Sequence, residues 1–114
     1  MHQAADSHFD KVLVEKMLAG GVDYNAVDVS AISLETLITV LTSGGAETRT
    51  LANGREGQIK ILQGGITVTG AITITPSNLA GYATVIIAAA GRGAGLFFSR
   101  GEWHCFALGY ATMG

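Results

Sequence analysis

From residue 66 to residue 75 the chain alternates: Ile66, Val68, Ile72 and Ile74 stand among Thr67, Thr69, Thr73 and Thr75. Side chains of a strand point to opposite faces in turn, so a spacing of two predicts a strand with one face toward a core. Gly70-Ala71 shifts the phase and marks an expected bulge. Short apolar or alternating runs separated by glycine recur over 34–42, 47–52, 57–63, 82–90, 96–100 and 103–109. With 66–75 these make seven strands at the spacing of a sandwich or barrel. The breaks carry turn chemistry. Asn53-Gly54 suits a tight hairpin with positive φ, Gly64-Gly65 a second reversal, Pro76-Ser77-Asn78 a turn, and Arg100-Gly101-Glu102 a further hairpin. Antiparallel neighbours are therefore expected.

The N-terminal segment follows a different period. Ser7 is placed to cap a helix with Asp10 in its first turn, and Phe9, Val12, Leu13 and Met17 fall three and four residues apart before Gly20-Gly21. These four side chains form one apolar stripe, with Asp10, Lys11 and Glu15 largely on the other side. A helix of about 12 residues is marginal alone, so the stripe needs a surface to pack on, either its own β domain or a neighbour. Residues 22–34 alternate small polar and apolar types without strong punctuation and are expected to form an extended arm. The expected organisation is a helix and arm over residues 1–30 and a β domain over residues 31–114.

Composition sharpens this picture. Charged residues are 14% of the 114-residue chain against 48% hydrophobic, and the net charge is only −2. An average soluble domain carries about 25% charged residues, so the surface is short of charge and some apolar surface is expected to be covered by a partner. The run Thr84–Ala90 and Leu96-Phe97-Phe98 are apolar at successive positions, more than one face of a sheet can bury. Val85, Ile87 and Phe97 are therefore the expected self-association residues. Seven scattered Lys and Arg form no basic stripe, which argues against nucleic acid. No stretch approaches the roughly 18 apolar residues of a membrane span, and the start of the chain does not read as a signal peptide. The lone Cys105 cannot form an internal disulfide, so the fold is compatible with assembly inside a cell.

Candidate chemistry is thin. Gly91-Arg92-Gly93-Ala94-Gly95 resembles a phosphate-cradling loop but lacks the following Lys-Ser/Thr and sits between strands, so a turn is expected. His104 and Cys105 are adjacent on a strand and point to opposite faces, which separates a thiol from its would-be base and favours a packing role for Cys105. His2, His8 and His104 supply no metal-ligand spacing, and Glu47, Glu56 and Glu102 fall at strand ends where solvated charge is normal. Trp103 is expected to be a core or interface anchor. Neither enzymatic activity nor a cofactor nor a metal site is expected.

Several stretches carry a resemblance. They are Ala31-Ile32-Ser33-Leu34, Leu41-Thr42-Ser43-Gly44-Gly45-Ala46-Glu47, the segment from Thr50 through Asn53-Gly54 to Gly57-Gln58-Ile59-Lys60, Thr75-Pro76-Ser77-Asn78-Leu79-Ala80-Gly81, and Leu96-Phe97-Phe98-Ser99-Arg100-Gly101-Glu102-Trp103. Together, over residues 31–109, they resemble a family of small structural proteins of tailed bacteriophages and other viruses. Ala88-Ala89-Ala90-Gly91-Arg92-Gly93 is richer in glycine and alanine than the corresponding family segment. The resemblance implies a mainly β, antiparallel, jelly-roll-like β-sandwich in a virion component such as a capsid decoration (cement) protein or a fibre part. It implies a protein assembled in the host cytoplasm and resident on the capsid surface, with the major capsid protein and copies of itself, as a homotrimer, for partners. Phe9, Val12, Leu13 and Met17 would be the anchor on the shell. The rival expectation is a receptor- or carbohydrate-binding module of a tail fibre, with Trp103 and Tyr110 at the ligand.

Overall fold

The computed structural model describes residues 20–114. The N-terminal helix expected from the sequence, with Phe9, Val12, Leu13 and Met17, lies outside the described residues. Those that are described are mainly β and contain no helix. In chain order the strands are β1 (Val22–Asn25), β2 (Ile38–Ser43), β3 (Glu47–Leu51), β4 (Ile59–Val68), β5 (Ile72–Pro76), β6 (Val85–Ile87), β7 (Gly93–Ser99), β8 (Glu102–Gly109) and β9 (Thr112–Met113). They form a five-stranded sheet in the order β1-β2-β4-β7-β8 and a four-stranded sheet in the order β3-β5-β6-β9. Leu41, Leu62, Leu96, Phe98 and Trp103 from the first sheet join Leu51, Ile72, Ile74, Val85 and Ile87 from the second in one buried cluster.

Both sheets are mixed, which corrects the expectation of purely antiparallel pairing. β1 runs parallel to β2, β2 parallel to β4, and β3 parallel to β5. From β2 to β5 the chain steps from one sheet to the other at every connection, so strands two apart in sequence become neighbours with the same direction. Glycine-marked breaks read as hairpins are mostly crossings between sheets: Asn53-Gly54 lies between β3 and β4, which do not pair. Gly64-Gly65 is no reversal, because β4 runs straight through it. A turn signal says that the chain bends, not which strand it bends toward.

Two corners stack where the crossings meet. The Ser43 hydroxyl donates to the Gly70 carbonyl at 2.7 Å, and the Thr69 N–H reaches the Ser43 carbonyl at 3.1 Å. A Cβ on Gly70 would fall 2.4 Å from the Ala46 nitrogen and the Gly45 carbonyl carbon, so only glycine fits this approach. The one tight hairpin the sequence marked correctly joins β7 to β8. Ser99 pairs with Glu102 across Arg100 (φ 58°) and Gly101 (φ 82°), the doubly positive turn that matches strand twist. The segment expected as an arm contributes β1, an edge strand of the larger sheet.

Candidate interaction surface

The two faces of the larger sheet invert the usual distribution at its β1-β2-β4 end. Leu41 and Leu62 fix the inward phase, and the same phase carries Asp23, Asn25, Thr39, Ser43 and Lys60 inward. Thr39, Ser43 and Lys60 have no exposed surface. Such groups are tolerated because each finds partners. The Lys60 ammonium donates to the Thr36 carbonyl at 2.9 Å and the Thr36 hydroxyl at 3.0 Å, with Asp23 Oδ1 at 3.9 Å. Asp23 in turn accepts from the hydroxyls of Thr36 and Thr39 at 2.5 and 2.6 Å. Burial pushes the Lys60 ammonium down to about 8, against the opposing pull of Asp23.

A second polar knot sits beside it. Arg49, 1% exposed, uses its whole guanidinium: Nε donates to the Asn25 side-chain carbonyl, Nη1 to Thr48 O and Glu47, and Nη2 to the carbonyls of Ala26 and Thr42. Glu47 also accepts the N–H groups of Gly44 and Asp28, and these hydrogen bonds, ahead of Arg49, hold its carboxyl below the usual range. An open cleft of about 480 Å³ is lined by Asp28, Ser30, Glu47 and Thr73. Two of its charged groups, Glu47 and Arg49, are committed to each other.

The outward phase of the same sheet is apolar. Val22, Ile38, Ile61 and Gly95 lie in register across β1, β2, β4 and β7, and Tyr24 and Val40 sit in the next row with Gln63. On the other side Ile59 pairs with Phe97 and Phe97 with His104. Phe97 stacks on the His104 ring at 4.9 Å and leans on Phe106 at 6.1 Å, while Phe106 covers Gly95. Tyr24 is 77%, Phe106 55% and Ile59 44% exposed, so the face is open among the described residues. Glu102 stands beyond these rows at the hairpin end, paired with Ser99.

The expected self-association set divides. Phe97 stands on this outward face, but Val85 and Ile87 have no exposed surface and pack in the chain's own core. The core uses both because β6 sits between β5 and β9 with its alternate side chains inward, and only Ile86 between them turns out. Trp103 is fully buried, edge-on to Phe98 at 5.2 Å, with its indole N–H donating to Ala52 O at 2.9 Å, so it is not available to stack on a ligand. Tyr110 is 85% exposed. Cys105 packs against the core cluster while His104 turns to Phe97 and Ser99 O, so the two do not face each other. Gly91 turns at φ 80° and Gly93-Ala94-Gly95 enters β7. Among the described residues no three His, Cys, Asp or Glu side chains converge on a common point that could hold a metal ion.

Comparison with family models, with curated proteins and with solved structures finds no match to this chain.

Proposed function

We propose that the chain is a non-enzymatic structural protein of a tailed-phage virion, a capsid decoration protein that binds the assembled shell and associates with its own copies as a homotrimer. In this proposal the two sheets face each other as a sandwich. A jelly roll is an antiparallel arrangement, and the three parallel pairings argue against that finer label. The observation that carries the proposal is the open outer face of the five-stranded sheet, without charge across the rows from Val22, Tyr24 and Ile59, in a chain whose stretches over residues 31–109 resemble small virion proteins. Stabilisation follows from linkage: a protein that binds the assembled shell and not its separated subunits shifts the equilibrium toward assembly, and many weak contacts on one particle act together. Phe9, Val12, Leu13 and Met17 are the proposed anchor on the major capsid protein.

The test is co-sedimentation of the full chain with phage shells, using the wild type and Leu13→Asp. Saturable binding that falls at least tenfold in the variant supports the proposal. Absence of binding at micromolar concentration defeats it, and equal binding of the variant defeats the anchor alone. Selective binding on a glycan array would favour the fibre module instead.

A further inference from the structure

We infer that the outward face of the five-stranded sheet, centred on Tyr24, Val40, Ile59, Ile61, Phe97 and Phe106, is the surface on which a second copy of this chain docks. The inference rests on the self-association part of the proposed function but not on its threefold count, since two identical faces meeting make a two-fold pair, and it replaces Val85 and Ile87 as the location. A sheet that faced water on this side would place its polar residues there and its apolar ones within. At the β1-β2-β4 end the chain does the reverse: Asp23, Asn25, Thr39 and Lys60 point in, and Val22, Tyr24, Ile38, Val40, Ile59 and Ile61 point out. The inward polar groups find partners within the chain, but the outward isoleucines, valines and tyrosine find none among the described residues, and that cost is relieved when the outer face is covered.

Size points to a protein surface as the cover. At ordinary side-chain areas these residues present on the order of 600 Å² of apolar surface, the upper limit for the largest patch on a monomer. A standard interface removes about 800 Å² from each partner, which this patch with its rim of Thr42, Gln63 and His104 can supply. Charge points to a second copy. No Lys, Arg, Asp or Glu lies in the three rows from Val22, Tyr24 and Ile59, so a charged partner would lose hydration there without gaining a counter-ion. An identical face brings the same uncharged centre, and its aromatics, Tyr24, Phe97 and Phe106, are the side-chain types that anchor interfaces.

The test is sedimentation of the full chain over a wide concentration range, comparing wild type, Tyr24→Lys/Ile59→Lys, and Ile66→Lys as a control. Ile66 is 99% exposed and lies outside the three rows, whereas Tyr24 and Ile59 have room for lysine without disturbing the core. Hydroxyl-radical labelling of Tyr24 and Phe106 at each concentration reads the face directly, whether or not the double variant folds. The expected result is a wild-type multiple of the 11.8 kDa chain. Its dissociation constant should rise at least tenfold in the double variant and not in Ile66→Lys, with Tyr24 labelling falling as the wild type associates. A wild type that stays at chain mass overturns both the inference and self-association. An oligomer with undiminished labelling of Tyr24 overturns this face and leaves self-association standing. Protection of Tyr24 at every concentration in a monomer assigns the face to residues 1–19 of the same chain and overturns the inference.

Discussion

Glu56 holds the tip of the β7–β8 hairpin at Arg100: its Oε1 accepts the Arg100 N–H at 2.9 Å while Oε2 accepts the Gly101 N–H at 3.2 Å. Two consecutive residues at positive φ turn their N–H groups toward one side, forming a small anion-binding concavity. Those two hydrogen bonds, with a smaller contribution from His104, hold the Glu56 carboxyl below its ordinary range. A carboxyl depressed in the folded state contributes stability that is present above the unfolded pKa of about 4.3 and lost as pH falls through the folded value. Glu56→Gln should therefore narrow the loss of stability on acidification below about pH 4.3. Urea midpoints of both proteins from pH 6 downward check this, and parallel curves would show that the hydrogen bonds contribute nothing.

Lys60 gives the opposite end of the pH scale. Its folded pKa, about 8, lies below the unfolded value near 10.4, so between these the unfolded chain binds more protons. The sign follows: stability rises with pH across that window as the buried ammonium is neutralised. Lys60→Met should remove the rise, seen as a smaller difference between denaturant midpoints at pH 7.5 and pH 10 than in the wild type. Equal differences in the two proteins would mean that Lys60 is hydrated in solution.

Arg49→Met should destabilise by about 3–5 kcal/mol, the cost of leaving buried partners of a charged group unpaired. Asn25 and the carbonyls of Ala26 and Thr42 would lose their donor. Arg49→Lys should recover little, because a point charge cannot span three acceptors that a planar fork reaches at once. Chemical denaturation at neutral pH checks both. Full stability in the lysine variant would show that charge alone, not the fork, is required.

Gly70→Ala should destabilise by about 1–3 kcal/mol, because its methyl meets backbone at Gly45 and Ala46 rather than a side chain that could swing away. Thermal unfolding checks it, with Gly45→Ala, where nothing stands within 4 Å, as the neutral neighbour.

The strand content was legible because alternation survives wherever one face is buried. Ile72 and Ile74 point inward as their spacing with Thr73 and Thr75 requires. Pairing was not legible, because the glycine at 54 looks the same whether the next strand returns beside β3 or crosses to the other sheet. Val85-Ile86-Ile87 is apolar throughout, as an interface strand would be, yet a short strand between β5 and β9 inside a two-sheet core has the same composition. The inverted face could have been found: Leu62 and Lys60 share a phase in β4, so an inward Leu62 commits Lys60 inward and Ile59 and Ile61 outward. The Arg49 knot had no such signal, since Asn25 in β1 and Ala26 just after it stand 24 and 23 residues away in the chain.

The stepping of the chain between sheets also orders events in time. β7 and β8 are joined by a two-residue turn and can zip as soon as both exist. β2 cannot meet β4 until the chain has travelled through β3, nor β3 meet β5 until it has passed through β4. Closing such excursions consumes chain entropy before any parallel contact forms, which places folding toward the slow end for a domain of this size. On a ribosome the consequence is sharper: β4 lacks its β7 neighbour until residues 93–99 have emerged, so the half-built sheet carries an unpaired edge while residues 69–92 are added.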